Sequence, residues 1–467
     1  MHILEMEEEE NPRFAQEKGK LMCKIFKNKY RHVPVVRETP IVDLQLFKED
    51  RDNNAVDVDE SQEQQYLGNK DHFMIIPNPD DVEDHEEAEN YCYGGFHPVQ
   101  INDIFMNRYK VEAKLGAGQF STVWKCYDSI EQRSVAIKIV RSRRRYVMAG
   151  IEEYQILKQI SQAEEEDGYR RLLAVNDAFS FESINGVHLA IVTEAQECNL
   201  LKLIQATEYR GLPIDIVRSI TRQILRGLAC LHDKCRILHT DIKPENILTE
   251  LNQDKLDAIT KDCKRAIEKR AGRKEIEHII NKHVKYVRIK IADFSNSVNL
   301  DDDYHGCIQT RQYRALEVLI GAKYATPADI WSVACMSFEM ATGRFLFEVH
   351  DQSIDDELAN EYPDENHIKE IMQLLGPIPS RVWRTGKKSS EFYDPKSRLL
   401  IHFPRLVRHN FVGHFQDIPV KITEPFAKLL KEMLDYDTND RVTAKGALQN
   451  SWLSEDIGRS RNGTTSR

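Results

Sequence analysis

The stretch that decides the fold reads His-Thr-Asp-Ile-Lys-Pro-Glu-Asn and occupies residues 239–246. Within it, an acid (Asp241) stands two residues before a lysine (Lys243) and five before an asparagine (Asn246). A second acid, Asp293, begins the later tripeptide Asp-Phe-Ser. Phosphoryl transfer depends on positioning and charge neutralisation more than on covalent chemistry, so carboxylate, amide and ammonium groups in one pocket suit it. Their order in the chain predicts a phosphotransferase.

These four side chains have distinct expected roles. Asp241 is expected to accept the proton of the attacking hydroxyl, and Lys243 to neutralise charge that develops on the γ-phosphate of ATP. Asn246 and Asp293 are expected to hold the Mg²⁺ ions that bridge the phosphates. ATP and Mg²⁺ are therefore the expected cofactors.

A glycine-containing turn lies upstream, where Gly-Ala-Gly-Gln-Phe-Ser-Thr-Val fills residues 116–123 between two strand-like runs. Glycines let a hairpin lie close over phosphates and offer its backbone N–H groups to them. The third glycine position of such a loop is Ser121, so a plain β-turn explains the segment nearly as well.

The following strand-like run ends in Val-Ala-Ile-Lys at residues 135–138. A lysine on an apolar strand needs an anionic partner, because burying an unpaired ammonium group is costly. Glu153, in the helical pattern around residues 151–160, is the expected partner of Lys138, and both are assigned to catalysis. A solvent-exposed lysine is the alternative interpretation.

Charge separates an N-terminal segment from the rest of the chain. The 467 residues carry a net charge of −10, and residues 51–100 alone hold 13 acidic against 2 basic side chains. We predict that residues 1–90 are acidic and largely disordered and that residues 454–467 form a disordered tail. Because a phosphate backbone would repel this acidity, no direct nucleic-acid partner is expected.

Targeting signals and metal motifs are absent from the sequence. No apolar run is long enough to span a bilayer, and the N-terminus lacks the basic and apolar regions of a signal peptide. The nine cysteines form neither a Cys-x-x-Cys pair nor a cluster with zinc spacing. We expect a monomer of the cytoplasm and nucleus with no membrane partner.

Hydrophobic patterning predicts strands first and helices afterwards. We predict an α+β fold with a small β-rich N-lobe at about residues 109–195 and a large helical C-lobe at about residues 200–453. Apolar side chains at helical spacing predict a helical hairpin at residues 252–286, inserted into the larger lobe.

Three stretches carry a resemblance to a known family. They are Tyr-Cys-Tyr-Gly-Gly-Phe-His-Pro-Val at 91–99, Cys-Arg-Ile-Leu-His-Thr-Asp-Ile-Lys-Pro-Glu-Asn-Ile-Leu at 235–248, and Ile-Gln-Thr-Arg-Gln-Tyr-Arg-Ala-Leu-Glu-Val-Leu-Ile-Gly at 308–321. From Tyr91 to Leu453 the chain resembles the SR-protein kinases, eukaryotic protein kinases that phosphorylate arginine-serine-rich splicing factors. The resemblance implies a two-lobed kinase domain over residues 91–453 and accounts for the insert, where this family splits its kinase domain.

The resemblance also implies further site residues. Thr193 takes the gatekeeper position, and Glu194 and Gln196 offer hinge backbone groups to adenine. The residues assigned to ATP binding are Leu115, Gly116, Gly118, Val123, Ala136, Lys138, Thr193, Glu194 and Gln196.

Within the larger lobe, the resemblance implies two structural contacts. Glu317 should pair with Arg441, and Asp329 should brace the catalytic loop. Residues 309–321 form the substrate-peptide platform of protein kinases, which disfavours a small-molecule kinase. Lys243 favours serine and threonine over tyrosine as acceptors.

Two residues depart from the general protein-kinase pattern. Thr240 replaces an arginine that normally meets a phosphorylated activation loop, so activity without this phosphorylation is expected. Ser295 replaces the last glycine of Asp-Phe-Gly, and its Cβ restricts positive φ.

The substrate groove departs from the family as well. Its aligned acidic docking positions hold Arg344, Asn366 and Gln373, and an arginine repels arginine-rich peptides. Residues 351–366 nevertheless hold seven acids and no basic side chain, either as an attractive surface or as a merely solvated loop. Basic or arginine-serine-rich proteins of mRNA splicing are the expected substrates. Diverged substrates and a catalytically silent scaffold are the alternatives.

Overall fold

Seven strands make up the largest sheet in the described part of the chain. They are β1 (Arg37–Pro40), β2 (Ile104–Phe105), β3 (Tyr109–Ala117), β4 (Ser121–Asp128), β5 (Arg133–Val140), β6 (Val175–Ser183) and β7 (Gly186–Glu194). Their order across the sheet is β1-β6-β7-β5-β4-β3-β2. The β2–β3, β3–β4, β4–β5 and β1–β6 pairs are antiparallel.

The structure is a computed structural model that describes residues 37–40, 88–302, 306–349, 357–415 and 420–454. The chain divides into two compact units. The first comprises the described residues up to Ile151 together with Asn176–Thr193, and the second comprises Glu152–Val175 and the described residues from Glu194 onward.

Alternating apolar side chains build the core of the first unit. In β5, Val135, Ile137 and Ile139 are almost completely buried, because alternate side chains of a strand share one face of the sheet. The whole cluster consists of Phe105, Tyr109, Val111, Trp124, Cys126, Val135, Ile137, Ile139, Phe179, Phe181, Ala190 and Val192. Removing this apolar surface from water is the main driving force for folding of the unit.

Strand β1 comes from the N-terminal segment that the sequence predicts to be largely disordered. It pairs with the edge of β6, with Arg37 opposite Glu182 and Pro40 opposite Phe179. The local sequence does not predict this strand, because the strand with which it pairs lies far along the chain. The other residues of the two predicted disordered segments lie outside the described residues, except for 88–90 and Ser454.

Helices make up most of the second unit. The helices of the described residues are α1 (Arg144–Ser161), which begins in the first unit, α2 (Leu200–Ala206), α3 (Ile214–Asp233), α4 (Gln253–Glu268), α5 (Arg273–His283), α6 (Leu316–Leu319), α7 (Pro327–Thr342), α8 (Glu357–Glu361), α9 (Pro363–Leu375), α10 (Ser380–Trp383), α11 (Ser389–Phe392), α12 (Val420–Met433), α13 (Ala444–Ala447) and α14 (Ser451–Ser454). None of them combines the length and apolar character that crossing a membrane requires.

Short strands and 3₁₀ turns connect these helices. The strands are β8 (Cys198–Asn199), β9 (Ile237–Leu238), β10 (Ile247–Thr249), β11 (Ile289–Ile291), β12 (Val298–Asn299), β13 (Tyr393–Asp394) and β14 (Leu399–Leu400). They form the β11-β10-β8 sheet and the β12-β9 and β13-β14 pairs. The 3₁₀ turns are Ala88–Asn90, Tyr169–Arg171, Pro244–Asn246, Arg311–Tyr313 and Phe411–His414.

Helix α7 is the centre of the second unit. Every residue from Ala328 to Ala341 is buried, as expected of a helix that is apolar on all sides. The guanidinium of Arg441 makes two hydrogen bonds to Glu317, at 2.6 and 2.9 Å, and lies 5.0 Å from the ring centre of Trp331 on α7. The predicted ion pair of Glu317 and Arg441 is confirmed.

Residues 252–286, for which apolar spacing predicts a helical hairpin, contain helices α4 and α5. The hairpin is fixed to the rest of the unit by Arg273, at the start of α5. Its guanidinium donates hydrogen bonds to the backbone oxygens of Leu212, at 2.9 Å, and Ala341, at 2.8 Å. These bonds satisfy one carbonyl group near the end of α7 and one just before α3, so the insert is an integral part of this unit.

Glu339, a buried acid on α7, makes the stability of this unit depend on pH. The Tyr313 hydroxyl donates a 2.6 Å hydrogen bond to it. Burial, together with the nearby Glu245 carboxylate, raises the pKa of Glu339 to about 7, despite the opposing effect of the Tyr313 bond. The folded state holds the Glu339 proton more tightly than the unfolded chain does. Protonated Glu339 therefore stabilises the fold in full below the pKa that it has in the unfolded chain, and this stabilisation is lost as pH rises through 7.

We expect Glu339→Gln to remove this pH dependence. The amide keeps an acceptor for Tyr313 but carries no charge, so the variant should gain about 3 kcal/mol over wild type between pH 4.5 and pH 8. Urea unfolding across this range measures the difference, with Glu348→Gln on the surface as a matched control. A difference between Glu339→Gln and wild type that stays constant with pH would contradict the assignment.

Candidate active site

One buried carboxylate holds the start of the catalytic loop. Asp329, at the beginning of α7, accepts backbone hydrogen bonds from His239 (2.9 Å) and Thr240 (3.0 Å) and is bonded to the His232 ring at 2.8 Å. Burial would raise its pKa, but the bond from His232 and the adjacent imidazoles outweigh burial and lower the pKa of Asp329. The predicted bracing role of Asp329 is confirmed. It holds Thr240 at a φ of +73°, an unusual angle for a β-branched residue.

Asp241, the predicted catalytic base, lies in a network of four side chains. Lys243 contacts one oxygen of its carboxylate at 2.8 Å, and the Thr310 hydroxyl donates to the other at 2.7 Å. Lys243 also donates to Thr310 at 3.0 Å. The amide nitrogen of Asn246 bonds to the Asp241 backbone oxygen at 2.8 Å. Three of the sequence-predicted residues are therefore brought together, and the carboxylate is held in one orientation.

The two residues predicted to bind metal are neighbours through strand pairing. Ile247 on β10 lies opposite Ile291 on β11, and the N–H of Ala292 donates to the backbone oxygen of Asn246 at 2.9 Å. Asp293 follows directly, at a φ of +61°. Because the Asn246 nitrogen bonds to Asp241, the amide oxygen is the atom that remains for a cation. An amide oxygen and a carboxylate are ligands that Mg²⁺ favours, so these residues fit the ion.

The segment after Asp293 is tied back to the catalytic loop. The Thr240 hydroxyl donates to the backbone oxygen of Asn296 at 2.9 Å, and the Ser297 hydroxyl donates to that of His239 at 3.1 Å. Strand β12 then pairs with β9, which immediately precedes the loop. The catalytic loop and the segment after Asp293 are therefore joined by hydrogen bonds within the protein.

Residues assigned to the nucleotide line up across the sheet of the first unit. Gly116 lies opposite Val123, and Val123 lies opposite Lys138, so these three residues form one row across three neighbouring strands. Ala136 is two residues from Lys138 and therefore on the same strand face, and Leu115 falls in a β-bulge before Gly116. Thr193 is buried on β7, the next strand beyond β5.

The structure bears on the two explanations of the glycine turn. Neither Gly116 nor Gly118 has a positive φ, and a Cβ at either position would meet no described atom within 4 Å. Neither backbone conformation nor packing among the described residues therefore requires glycine here. A phosphate loop, in which a ligand closely approaches the backbone, and a plain turn are both consistent with this geometry, and the phosphate loop stays a prediction.

Glu194, the last residue of β7, and Gln196 belong to the second unit. The Glu194 carboxylate forms a 2.5 Å ion pair with Lys290, so its side chain is engaged within the protein. The contact of its backbone groups with adenine stays a prediction. Glu153 is buried on α1 in the second unit, whereas Lys138 belongs to the first. Their expected pairing stays a prediction.

Comparison with known proteins identifies the family. The model of the protein kinase domain matches residues 109–453. SRSF protein kinase 3 of Mus musculus is 30% identical to the chain over 80% of this chain and 91% of the mouse protein. Serine/threonine-protein kinase SRPK of Physarum polycephalum is 33% identical, over 80% of this chain and 92% of that protein. The chain belongs to the SR-protein kinase family.

A third relative of this SR-protein kinase is longer. Serine/threonine-protein kinase spk-1 of Caenorhabditis elegans is 30% identical over 83% of this chain, which spans about half (53%) of the nematode protein. The α+β fold class, with a β-rich N-lobe and a helical C-lobe, is confirmed, as is serine/threonine protein kinase activity. Protein kinases use ATP and a divalent metal ion.

Thr310 is the site residue of this SR-protein kinase that sequence analysis missed. It lies in the quoted stretch 308–321, but no role was assigned to it. Its hydroxyl and backbone N–H both donate to the Asp241 carboxylate, at 2.7 and 3.2 Å, across 69 residues of sequence. Because the contact joins residues far apart in the chain, no local pattern indicates it, and only its place in the family-like stretch 308–321 could have pointed to it.

We expect Thr310→Val to lower kcat about tenfold to a hundredfold, because a charge-assisted bond to the base and the bridge to Lys243 are lost. Thr310→Ser keeps the hydroxyl and should retain most activity. Steady-state kinetics with a protein substrate measure both effects, and Thr260→Val in the insert is a matched control for loss of a threonine hydroxyl. A Val variant as active as the control would show that Thr310 does not position the base.

Proposed function

We propose that this kinase transfers the γ-phosphate of Mg²⁺-bound ATP to serine and threonine in basic, arginine-serine-rich proteins. We also propose that it needs no phosphorylation of its activation segment. The observation that carries the proposal is the closed set of bonds among Asp241, Lys243 and Thr310. These bonds orient the carboxylate and the ammonium group that phosphoryl transfer needs.

The chemistry follows from the roles of these side chains. Asp241 orients the acceptor hydroxyl and takes its proton, and Lys243 balances the charge on the transferred group. Thr310 keeps both in place. Asn246 and Asp293 would hold Mg²⁺, which supplies the positive charge that phosphate oxygens need in the transition state.

Independence from phosphorylation is supported by Thr240. An arginine at this position would bring a charge that needs an anionic partner such as a phosphate. Threonine is neutral and instead bonds to the backbone of Asn296. A further ion pair, Arg236 with Asp301 at 2.8 Å, links the residue just before β9 to the segment after β12. These contacts are made entirely within the protein.

Two observations support basic substrates. The mouse and slime-mould relatives are named for SRSF proteins or as SRPK, and residues 351–366 are strongly acidic. Kinases with such substrates would act in mRNA splicing and occur in both the cytoplasm and the nucleus. Of the seven acids, Asp351, Asp355 and Asp356 lie outside the described residues, as does the side chain of Glu357.

A second candidate, a substrate class without arginine-serine repeats, is favoured by two of the described acids of this segment. Asp364 is paired with Arg311 at 3.0 Å, and buried Glu365 is bonded to His402 at 2.5 Å, so both are used inside the protein. Asn366 and Gln373, at positions aligned with acidic docking residues, are buried on α9. Arg344, at the third aligned position, is exposed and basic.

One experiment separates these possibilities. Phosphatase-treated, repurified protein is incubated with Mg-ATP and a peptide library that contains arginine-serine repeats, acidic peptides and neutral peptides. We expect phosphorylation of arginine-serine peptides at the same initial rate as by untreated protein, because the site needs no added phosphate. Mass spectrometry of the kinase verifies that its activation segment is unphosphorylated at the start.

The other outcomes are equally informative. Loss of activity after phosphatase treatment would contradict independence from phosphorylation. Preference for peptides without arginine would favour the second substrate class. Transfer no faster than by Asp241→Asn would favour the scaffold alternative, since that variant lacks the base but keeps the size of its side chain.

A further inference from the structure

Ser295 makes a contact that a glycine in its place could not make. Its hydroxyl donates a 2.8 Å hydrogen bond to one carboxylate oxygen of Asp293, the predicted metal ligand. A glycine has no side chain with which to form this bond. The residue that looked like a departure from the Asp-Phe-Gly pattern therefore contacts the metal site directly.

The backbone that carries Ser295 is held on both sides. Phe294 is buried, and its ring centre lies 5.2 Å from that of His239. On the other side, the backbone oxygen of Asn296 accepts the Thr240 hydroxyl bond, and Ser297 N–H donates to the Phe294 backbone oxygen at 3.0 Å. The Ser295 hydroxyl is therefore delivered to Asp293 from a fixed position.

The expected conformational restriction by the Ser295 Cβ has no cost here. Among residues 293–295, Asp293 has a φ of +61°, whereas Ser295 does not fall in the positive-φ region. The strained backbone is thus at the metal ligand itself. The bond from Ser295 adds a side-chain contact to a residue that is already held in this conformation.

We infer that Ser295 is a positioning residue for metal binding: its hydroxyl holds the Asp293 carboxylate in one orientation and so lowers the metal concentration that the site needs. Hydrogen bonds to ligating carboxylates commonly change metal affinity about tenfold to a hundredfold. This role rests on the proposed use of Mg²⁺ by Asn246 and Asp293. The alternative is that the Ser295 hydroxyl only completes its own hydrogen bonding within a turn. In that case its removal would leave metal affinity unchanged.

The test measures binding without turnover. Mn²⁺, a spectroscopic probe for the Mg²⁺ site, is titrated into the full chain with a saturating non-hydrolysable ATP analogue, and free Mn²⁺ is followed by electron paramagnetic resonance. The variants are Ser295→Ala and Ser295→Gly, which lack the hydroxyl, and Ser295→Thr, which retains it. Ser161→Ala is the matched control for loss of a serine hydroxyl, since the Ser161 hydroxyl donates to the backbone oxygen of Leu157 within α1 at 3.0 Å.

We expect Ser295→Ala and Ser295→Gly to raise the Mn²⁺ dissociation constant about tenfold each, with Ser295→Thr within about twofold of wild type. Thermal melts without metal should match those of the control. In kinase assays, the Mg²⁺ concentration for half-maximal rate should rise while the rate at saturating Mg²⁺ changes little.

Unchanged Mn²⁺ affinity in folded Ser295→Ala or Ser295→Gly would overturn the inference. If the alanine variant fails to fold, the glycine variant decides alone, because it restores the usual Asp-Phe-Gly sequence. Absence of nucleotide-dependent Mn²⁺ binding by the wild-type protein would contradict the metal assignment of Asn246 and Asp293 itself, and with it this role.

Discussion

The catalytic machinery depends on one buried carboxylate, that of Asp329. It accepts two consecutive backbone N–H groups from the catalytic loop and bonds to His232, which fixes the loop against α3 and α7. Because α7 is buried along nearly its whole length, the carboxylate is attached to an element that is packed on all sides. The contacts of Asp241 with Lys243 and Thr310 therefore depend on a loop whose backbone is held by Asp329.

The site also balances its charges without an external group. Asp241 is compensated by Lys243, and the position before it is occupied by a neutral threonine whose hydroxyl finds a backbone acceptor. This charge balance supports the proposal that activity needs no phosphorylation of the activation segment. Ser295 extends the same principle to the metal ligand, since a neutral hydroxyl orients Asp293 without altering the net charge.

Much of this arrangement could be predicted from the sequence because it is encoded in short motifs. The order of Asp241, Asn246 and Asp293 indicated the chemistry, and matching to a family located Asp329 and the Glu317–Arg441 pair. Apolar spacing was enough to predict helices at residues 252–286, because a helix that packs on one side leaves a periodic signature.

Contacts between distant segments could not be predicted in this way. The bond from Thr310 to Asp241 joins residues 69 apart, and β1 pairs with a strand far along the chain. The hydrogen bond between His402 and Glu365 could not be predicted either, because an acid in a charged stretch is usually solvated. In each case the deciding factor is tertiary packing, which has no local pattern.

The most direct test of this account is Asp329→Asn. The amide keeps the shape of the side chain but cannot accept both loop N–H groups as a carboxylate does, so we predict a fall in kcat of about tenfold to a hundredfold. Hydrogen exchange measured in the same samples should be faster at the amides of His239 and Thr240 and unchanged in the sheet of the first unit. Wild-type kcat with unaltered exchange in the loop would contradict the claim that this carboxylate holds the active site together.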